Sequence, residues 1–177
     1  MHHQIWPQTT GSVVFVARIC GIRHDGAVAK DLDHVSKQII EALQTDGRRS
    51  YASVGKSIGL SEAAVRNRVQ KLSDSGVLQI VAVTDPLQVG FARQAMIGIR
   101  CTGDSVALAK NLAEIPEIDY VVLTAGSFDI MIEVVCEDDD GLLDLLNRTV
   151  RTQPGVTATE TLVYLKLVKQ QYNWGTR

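Results

Sequence analysis

Cysteine is scarce in this 177-residue chain, and its placement excludes a disulfide framework. The three cysteines, Cys20, Cys101 and Cys136, are widely separated, odd in number and without CxxC spacing. Disulfide-stabilised domains and zinc modules need cysteines in closely spaced pairs. We therefore expect free, buried thiols, no metal site and a protein of the reducing cytoplasm.

Long apolar stretches are also missing. The longest one, Val13–Ala17, ends at Arg18 and is far shorter than the roughly 20 residues that a membrane-spanning helix needs. The first residues, Met1–Pro7, lack the basic start and the apolar core of a secretory signal. We expect a cytoplasmic protein with no membrane partner.

The chain has no overall basic charge, because 18 lysines and arginines are balanced by 20 acidic residues. The distribution is uneven, however. Residues 47–73 hold six bases and one acid, whereas residues 104–160 hold twelve acids and three bases. This asymmetry predicts that the N-terminal part of the chain meets phosphate and that the C-terminal part does not.

A catalytic set is absent from the sequence. His24 and His34 stand apart from any nucleophile, and the acidic residues show no paired spacing beyond that of a helix surface. The acidic run Glu137–Asp140 is typical of a solvated helix N-terminus, where negative charge is favourable. We predict no enzyme activity and no cofactor.

The basic half of the chain predicts three helices. Apolar residues at steps of three and four indicate the first between residues 32 and 46. A short second helix covers about residues 51–58, and Gly59-Leu60-Ser61 forms a turn whose serine can cap a third helix over residues 62–74. A β-rich segment, residues 77–84, is predicted to return as a wing. Together these elements predict a winged helix-turn-helix domain.

The exposed side of the third helix carries Arg66 and Asn67, which can make bidentate hydrogen bonds with guanine and adenine edges. The N-terminus of the second helix can meet a phosphate. A solvated helical bundle with a basic face is the alternative, but helix order, turn glycine, basic face and wing occur together. The predicted DNA-binding residues are Arg48, Arg49, Ser50, Tyr51, Ser61, Glu62, Ala63, Arg66, Asn67, Arg68 and Lys71, of which the last two suit phosphates or the scaffold.

The acidic half alternates strands and helices in the order β-α-β-β-α-β, which predicts a ferredoxin-like domain and an α+β fold class for the whole chain. Its last strand is predicted to carry Thr161, Val163, Leu165 and Leu167. Two helices would cover one face of the sheet. A second copy of the chain is the simplest cover for the apolar residues of the other face, namely Met96, Met131, Val135, Leu162 and Tyr164.

A glycine turn lies between two strands of this domain, at Thr124–Asp129. Glycine lets a ligand approach the backbone, successive N–H groups can hold a carboxylate, and Asp129 could receive an ammonium group. Such a site would suit a free amino acid. A plain hairpin turn is the alternative, and on these residues alone it is the favoured one.

Taken in order, these segments resemble the leucine-responsive regulatory protein/AsnC (Lrp/AsnC) family of transcription regulators. The resemblance covers about residues 32–168 and departs from the family pattern at Ser36 and at Gln79-Ile80. It is carried by Ile39-Ile40-Glu41-Ala42-Leu43, Asp46-Gly47-Arg48, Gly59-Leu60-Ser61, Val65-Arg66-Asn67-Arg68-Val69, Ser75-Gly76-Val77-Leu78, Asp85-Pro86, Thr124-Ala125-Gly126-Ser127-Phe128-Asp129, Gly155-Val156 and Thr159-Glu160-Thr161.

The resemblance implies a regulator that binds double-stranded DNA at a pseudo-palindromic operator. It also implies homodimers joined through the C-terminal sheets, octamer-like rings of dimers, and an amino-acid effector held between dimers. Carried over to this sequence, the effector site consists of Gly126, Ser127, Phe128, Asp129, Thr157 and Thr159.

Two other functions stay open: an architectural DNA-binding protein of low sequence specificity, and an amino-acid-sensing regulatory subunit of a metabolic enzyme.

The resulting domain division has five segments. The segments are residues 1–31, an extension without an assigned role; 32–84, the DNA-binding domain; 85–91, a linker; 92–168, the effector-sensing and oligomerisation domain; and 169–177, a C-terminal tail.

Overall fold

The computed structural model describes residues 32–173, 175 and 176. The described chain forms two compact units. One contains the residues up to Ala82 together with those from Lys169 onward, and the other spans Val83–Val168. The strand-like run Val13–Val16 and Cys20 lie outside the described residues.

The first unit contains the three predicted helices. Each begins after a side chain that caps it: Asp33 accepts a hydrogen bond from the backbone N–H of Ser36 at 2.7 Å, and Ser50 and Ser61 act in the same way. The helices are α1 (His34–Thr45), α2 (Tyr51–Ile58) and α3 (Glu62–Asp74).

One residue from each helix forms the centre of the core of this unit. Ile39, Val54 and Val65 are fully buried and belong to one apolar cluster. The turn between α2 and α3 depends on Gly59, which ends α2 in the left-handed conformation at φ +74°. The helix-turn-helix prediction is therefore confirmed in its helices and in its turn.

The predicted strand over residues 77–84 is wrong. Val77 and Leu78 donate their backbone N–H groups to the carbonyl of Leu72, which closes the end of α3. After Leu78 the chain runs without regular structure as far as Asp85. β-rich residues form a strand only where another strand supplies hydrogen bonds, and no described residue pairs with this segment.

The second unit is a four-stranded antiparallel sheet with two helical segments on one face. The elements are β1 (Arg93–Cys101), α4 (Ser105–Leu112), β2 (Ile118–Leu123), β3 (Ile130–Cys136), α5 (Asp139–Asp144) and β4 (Val156–Val163). The helix α5 continues as a π-helical segment, Leu145–Val150. The strand order, β2-β3-β1-β4, is that of the predicted ferredoxin-like fold.

The core of this unit lies between the sheet and its helices. Ala95, Ile97 and Ile99 alternate on β1 and are fully buried against the helical layer. No helix among the described residues covers the opposite face of the sheet, where Met96 of β1 pairs with Leu162 of β4, which is 48% exposed. We call this the open face; it carries the five apolar residues that the sequence predicted there, of which Leu162 is exposed and the other four are half-buried.

The last strand begins and ends earlier in the chain than the predicted Thr161–Leu167. The strand β4 ends at Val163, and Tyr164 makes one more hydrogen bond, from its backbone N–H to the carbonyl of Gln94 at 2.8 Å. Since β1 begins at Arg93, no described strand pairs with the residues that follow Tyr164, and Leu165 is 96% exposed.

The described cysteines are not paired. Cys136 is buried and Cys101 is partly buried, and both are free. Burial raises the pKa of the Cys136 thiol. No helix in the described ranges is long and apolar enough to cross a bilayer.

Candidate functional site

The start of α3 presents an exposed polar surface. Val65 and Val69 are buried in the core, so Arg66 and Asn67 project on the other side of the helix, where both are exposed. Ser61, Glu62 and Ala63, which begin this helix, are also exposed.

Arg66 is held by two neighbours. Its Nη2 atom lies 2.5 Å from Oε1 of Glu62, one helical turn earlier. Its guanidinium carbon lies 5.4 Å from the centre of the Tyr51 ring, at the start of α2. These two contacts fix the position of the arginine that was predicted to meet a base.

The residues before α2 form a compact turn. Ser50 caps the helix through the N–H of Ser53, and Arg49 Nε donates to the Ser53 hydroxyl at 3.2 Å. Arg48 is exposed, and its backbone N–H bonds to Asp46. The free N–H groups of this helix end and the adjacent arginine can together hold a phosphate.

Arg68 has a structural role in this unit. It lies 2.6 Å from Asp33 at the start of α1, and its Nη1 atom is 3.4 Å from the hydroxyl of Ser36. The side chain is 37% exposed. Arg68 therefore ties α3 to α1, which is the scaffold role that its position far along α3 suggested. Lys71, one turn later, is exposed.

Acid should weaken the contact between α1 and α3. The hydrogen bond from Arg68 and those from Ser36 lower the pKa of Asp33 from 3.8 to about 2. A carboxylate whose pKa is lower in the folded state stabilises the fold above pH about 4, and this contribution is lost as the pH falls through about 2.

The Asp33→Asn variant should lack this part of the acid sensitivity. Thermal unfolding followed by helix circular dichroism between pH 2 and 7 tests the prediction. The control is Asp74→Asn, since Asp74 bonds to the amide of Gln70 and not to a cation. An unaltered pH dependence in Asp33→Asn would show that the pair with Arg68 contributes nothing.

The predicted effector turn, Gly126–Asp129, is closed by its own hydrogen bonds. Thr124 donates its hydroxyl to the carbonyl of Phe128 at 2.7 Å and its N–H to that of Asp129 at 2.9 Å. The carboxylate of Asp129 accepts the backbone N–H of Cys101 at 2.8 Å. Phe128 lies directly over Gly98, where an added Cβ would come within 2.6 Å of its ring.

Arg100 joins the two parts of the predicted effector site, and sequence reasoning missed it. Its Nε donates to the carbonyl of Ser127 at 3.1 Å, and its guanidinium lies 5.6 Å from the ring centre of Phe128. On the other side, its carbonyl accepts the Thr157 hydroxyl at 3.0 Å. Arg100 is an exposed residue between the buried Ile99 and the partly buried Cys101, and no motif in the sequence marks it.

Thr159 lies apart from this group. It pairs across the sheet with the buried Ile99, and its hydroxyl accepts a hydrogen bond from Arg151 at 3.0 Å. Both contacts belong to the face that the helices cover, whereas Phe128 packs over Gly98 on the open face. Arg100 therefore contacts both the turn and Thr157, whereas Thr159 lies on the opposite face of the sheet.

The acidic run Glu137–Asp140 lies at a helix start. Asp138 caps α5 through the N–H of Gly141, and Asp139 forms an ion pair with Arg93. Within the described part of the chain, no three His, Cys, Asp or Glu side chains come together as metal ligands.

Comparisons with known proteins give one family for both units. Residues 32–73 match the AsnC-type helix-turn-helix domain, and residues 103–177 match a C-terminal dimeric alpha+beta barrel domain of the AsnC type. The HTH-type transcriptional regulator FL11 of Pyrococcus horikoshii is 33% identical over 141 residues, which are 78% of this chain and 93% of that protein.

Solved structures have the same fold. Escherichia coli AsnC is 27% identical and superimposes with a TM-score of 0.67 over 80% of this chain and 97% of its own. A transcriptional regulator from Neisseria meningitidis, solved in complex with L-Met, superimposes with a TM-score of 0.68 at 23% identity and covers 80% of this chain and 95% of its own.

Proposed function

This chain belongs to the Lrp/AsnC family of helix-turn-helix transcription regulators, and from that premise we propose that it binds a specific double-stranded DNA sequence and changes its DNA affinity or its assembly when a free amino acid binds. Residues 32–84 would read the DNA in the cytoplasm, and residues 92–168 would sense the effector and assemble. Residues 85–91 would connect them.

The exposed start of α3 carries this proposal. Arg66 and Asn67 stand beside each other on the exposed side of a helix whose opposite side is fixed in the core. In helix-turn-helix proteins this helix enters the major groove with its N-terminal residues toward the base edges. Arg48 and the capped start of α2 would hold the flanking phosphates.

The open face of the sheet supports a homodimer. Leu162 is 48% exposed there, and the neighbouring strands add further apolar residues. Three polar groups on this face already have partners: Gln94 donates to Glu133 at 2.8 Å, and burial together with Glu133 raises the pKa of Tyr164 to about 12. A second copy could therefore cover the face without leaving these groups unpaired.

Two-fold symmetry of such a dimer fits a pseudo-palindromic operator, with half-sites about 34 Å apart. Further assembly of dimers into an octamer-like ring is part of the proposal. The oligomer size can be measured by light scattering with and without the amino acid.

The turn that contains Gly126 supports the effector proposal. Arg100 and Asp129 carry opposite charges next to the same turn, but each is bonded to backbone atoms and they do not form an ion pair with each other in the described structure. A free amino acid carries a carboxylate and an ammonium group, which match these two charges. The complex of the meningococcal relative with L-Met is an example of such a ligand in a protein of this fold.

A binding assay tests the proposal directly. The purified chain is titrated with the DNA upstream of its own gene and with a scrambled duplex, at fixed salt, with and without the twenty amino acids. Preference for the native duplex that changes with the amino acids would support the regulator. Equal binding to both duplexes, unaffected by amino acids, would favour an architectural DNA-binding protein.

Gly126→Thr should abolish the amino-acid response or alter the assembly size while the DNA-binding unit stays folded. An added Cβ at Gly126 meets nothing within 4 Å, so the new side chain starts in open space. The threonine would instead occupy the space above the turn that a ligand or a neighbouring dimer needs. Light scattering and DNA titration with and without amino acids measure both effects. A variant with a normal response and normal assembly would rule this turn out as the effector site.

A further inference from the structure

The arginine at the predicted base-reading position is not a free cation. Arg66 is paired with Glu62 at 2.5 Å and lies over the ring of Tyr51 at 5.4 Å. Both partners come from the same surface that would face DNA, and both side chains of the ion pair are more than half exposed, at 62% and 51%. The pair therefore lies on the surface and does not stabilise the core.

Two other bases of this unit differ from Arg66. Lys56 and Lys71 are exposed and have no acidic partner among the residues that the structure describes. Such a cation binds any phosphate within reach, which increases affinity for all sequences alike. Glu62 neutralises Arg66 and itself repels phosphates, so Arg66 adds little to this general attraction.

The ring of Tyr51 has a different effect on Arg66. A guanidinium that lies on an aromatic face is held in one orientation. It therefore loses less conformational entropy when it donates hydrogen bonds to two acceptors at once. Guanine offers such a pair, O6 and N7, in the major groove. The guanidinium of Arg66 has five N–H donors, so it can donate two hydrogen bonds to a base edge while one of its nitrogens remains bonded to Glu62.

We infer that Glu62 and Tyr51 are specificity-determining residues: Glu62 keeps Arg66 from binding phosphate on random DNA, and Tyr51 holds its guanidinium ready for a guanine edge. This inference rests on the proposed function and assigns a role to each neighbour of Arg66. Glu62 acts by weakening the wrong complexes more than the right one, which is how specificity is gained without added affinity.

The test uses Glu62→Gln and a duplex that the wild-type chain has selected from a random pool. The control variant is Asp144→Asn, which removes a carboxylate from another exposed pair of the same spacing, Asp144–Arg148, in the other unit. Dissociation constants for the selected and a scrambled duplex are measured over a range of salt concentrations. Thermal unfolding confirms that each variant is folded.

Glu62→Gln should bind the scrambled duplex more tightly and show a severalfold smaller preference for the selected one. Arg66 would then reach a phosphate, and the salt dependence on the scrambled duplex should become steeper by about 0.9, the contribution of one phosphate contact. Asp144→Asn should change neither the preference nor the salt dependence. An unchanged preference in Glu62→Gln would overturn the role of Glu62.

Two substitutions at Tyr51 separate the ring from the hydroxyl. Tyr51→Phe keeps the aromatic face and should lose much less of the preference for the selected duplex than Tyr51→Leu. Tyr51→Leu keeps an apolar side chain but loses the face, and it should accept other bases at one position of the site. Equal preference in the two variants would overturn the role of the ring.

The wild-type measurements distinguish this inference from the proposed function. A wild-type chain that selects no sequence from the pool would overturn sequence-specific binding, and the roles of Glu62 and Tyr51 with it. A wild-type preference that both Glu62→Gln and Tyr51→Leu retain would overturn the inference alone and leave the regulator intact.

Discussion

Gly55→Ala is expected to lower the free energy of unfolding of the helix-turn-helix unit by about 1–3 kcal/mol, the usual cost of an overpacked core. Gly55 is buried in α2, where an added Cβ would lie 2.4 Å from the carbonyl oxygen and 3.3 Å from the carbonyl carbon of Leu60. Both atoms are backbone, so no side-chain rotation relieves the contact. The turn itself would have to move away from α2.

The position of this turn sets the direction of α3. The N–H of Leu60 bonds to the carbonyl of Gly55 at 2.9 Å, and Ser61 caps α3 one residue later. Gly55→Ala should therefore weaken DNA binding as well as stability, because displacement of the turn displaces the start of α3. Urea unfolding and DNA titration measure the two effects.

Gly47→Ala is the control for this substitution. Gly47 is exposed, and its added Cβ would meet only the carbonyl of Leu43, at an ordinary 3.7 Å. This variant should retain both stability and DNA binding. Equal stability of Gly55→Ala and the wild-type chain would show that the turn adjusts without cost, and the close approach would then have no influence on α3.

The helices could be predicted from sequence because their signals are local. The third helix was predicted over residues 62–74 and spans the same residues, since Ser61 caps its start and Ser75-Gly76 follow its end. The order of strands and helices in the second unit was likewise correct, because alternation and turn residues lie within each element.

The errors concern pairing between distant residues. Residues 77–84 have strand-forming composition, but a strand needs a neighbouring strand for its backbone hydrogen bonds. Composition does not show whether such a neighbour exists. The same limit applies to the effector site: nothing near Arg100 in the sequence shows that it contacts Ser127 and Thr157. Thr159 was predicted from resemblance, and only the register with Ile99 shows which face of the sheet it occupies.

Arg66→Ala should weaken binding to a selected duplex by about 1–3 kcal/mol, the discrimination that one bidentate arginine–guanine pair provides. Binding to scrambled DNA should weaken less, because in the proposed arrangement the ion pair with Glu62 keeps Arg66 from phosphates. The variant should accept other bases at one position of the operator. Footprinting and selection from a random pool would reveal this.

Arg148→Ala is the matched control for the loss of charge. Like Arg66, Arg148 is an exposed arginine with an acidic partner four residues earlier, Asp144, at 3.3 Å. Because it lies in the sheet unit, its removal should not change operator preference. An Arg66→Ala variant with unchanged footprints and unchanged base preference would remove Arg66 from the DNA-reading surface.

The double variant Arg66→Ala, Glu62→Gln connects this prediction with the role of Glu62. If Glu62 acts on specificity through Arg66, then Glu62→Gln should lower operator preference in the wild-type chain and leave it unchanged once Arg66 is absent. The difference between the two backgrounds is the coupling energy of the pair. A loss of preference that is equal in both backgrounds would mean that Glu62 contacts DNA on its own account, most simply by accepting a hydrogen bond from a cytosine amino group.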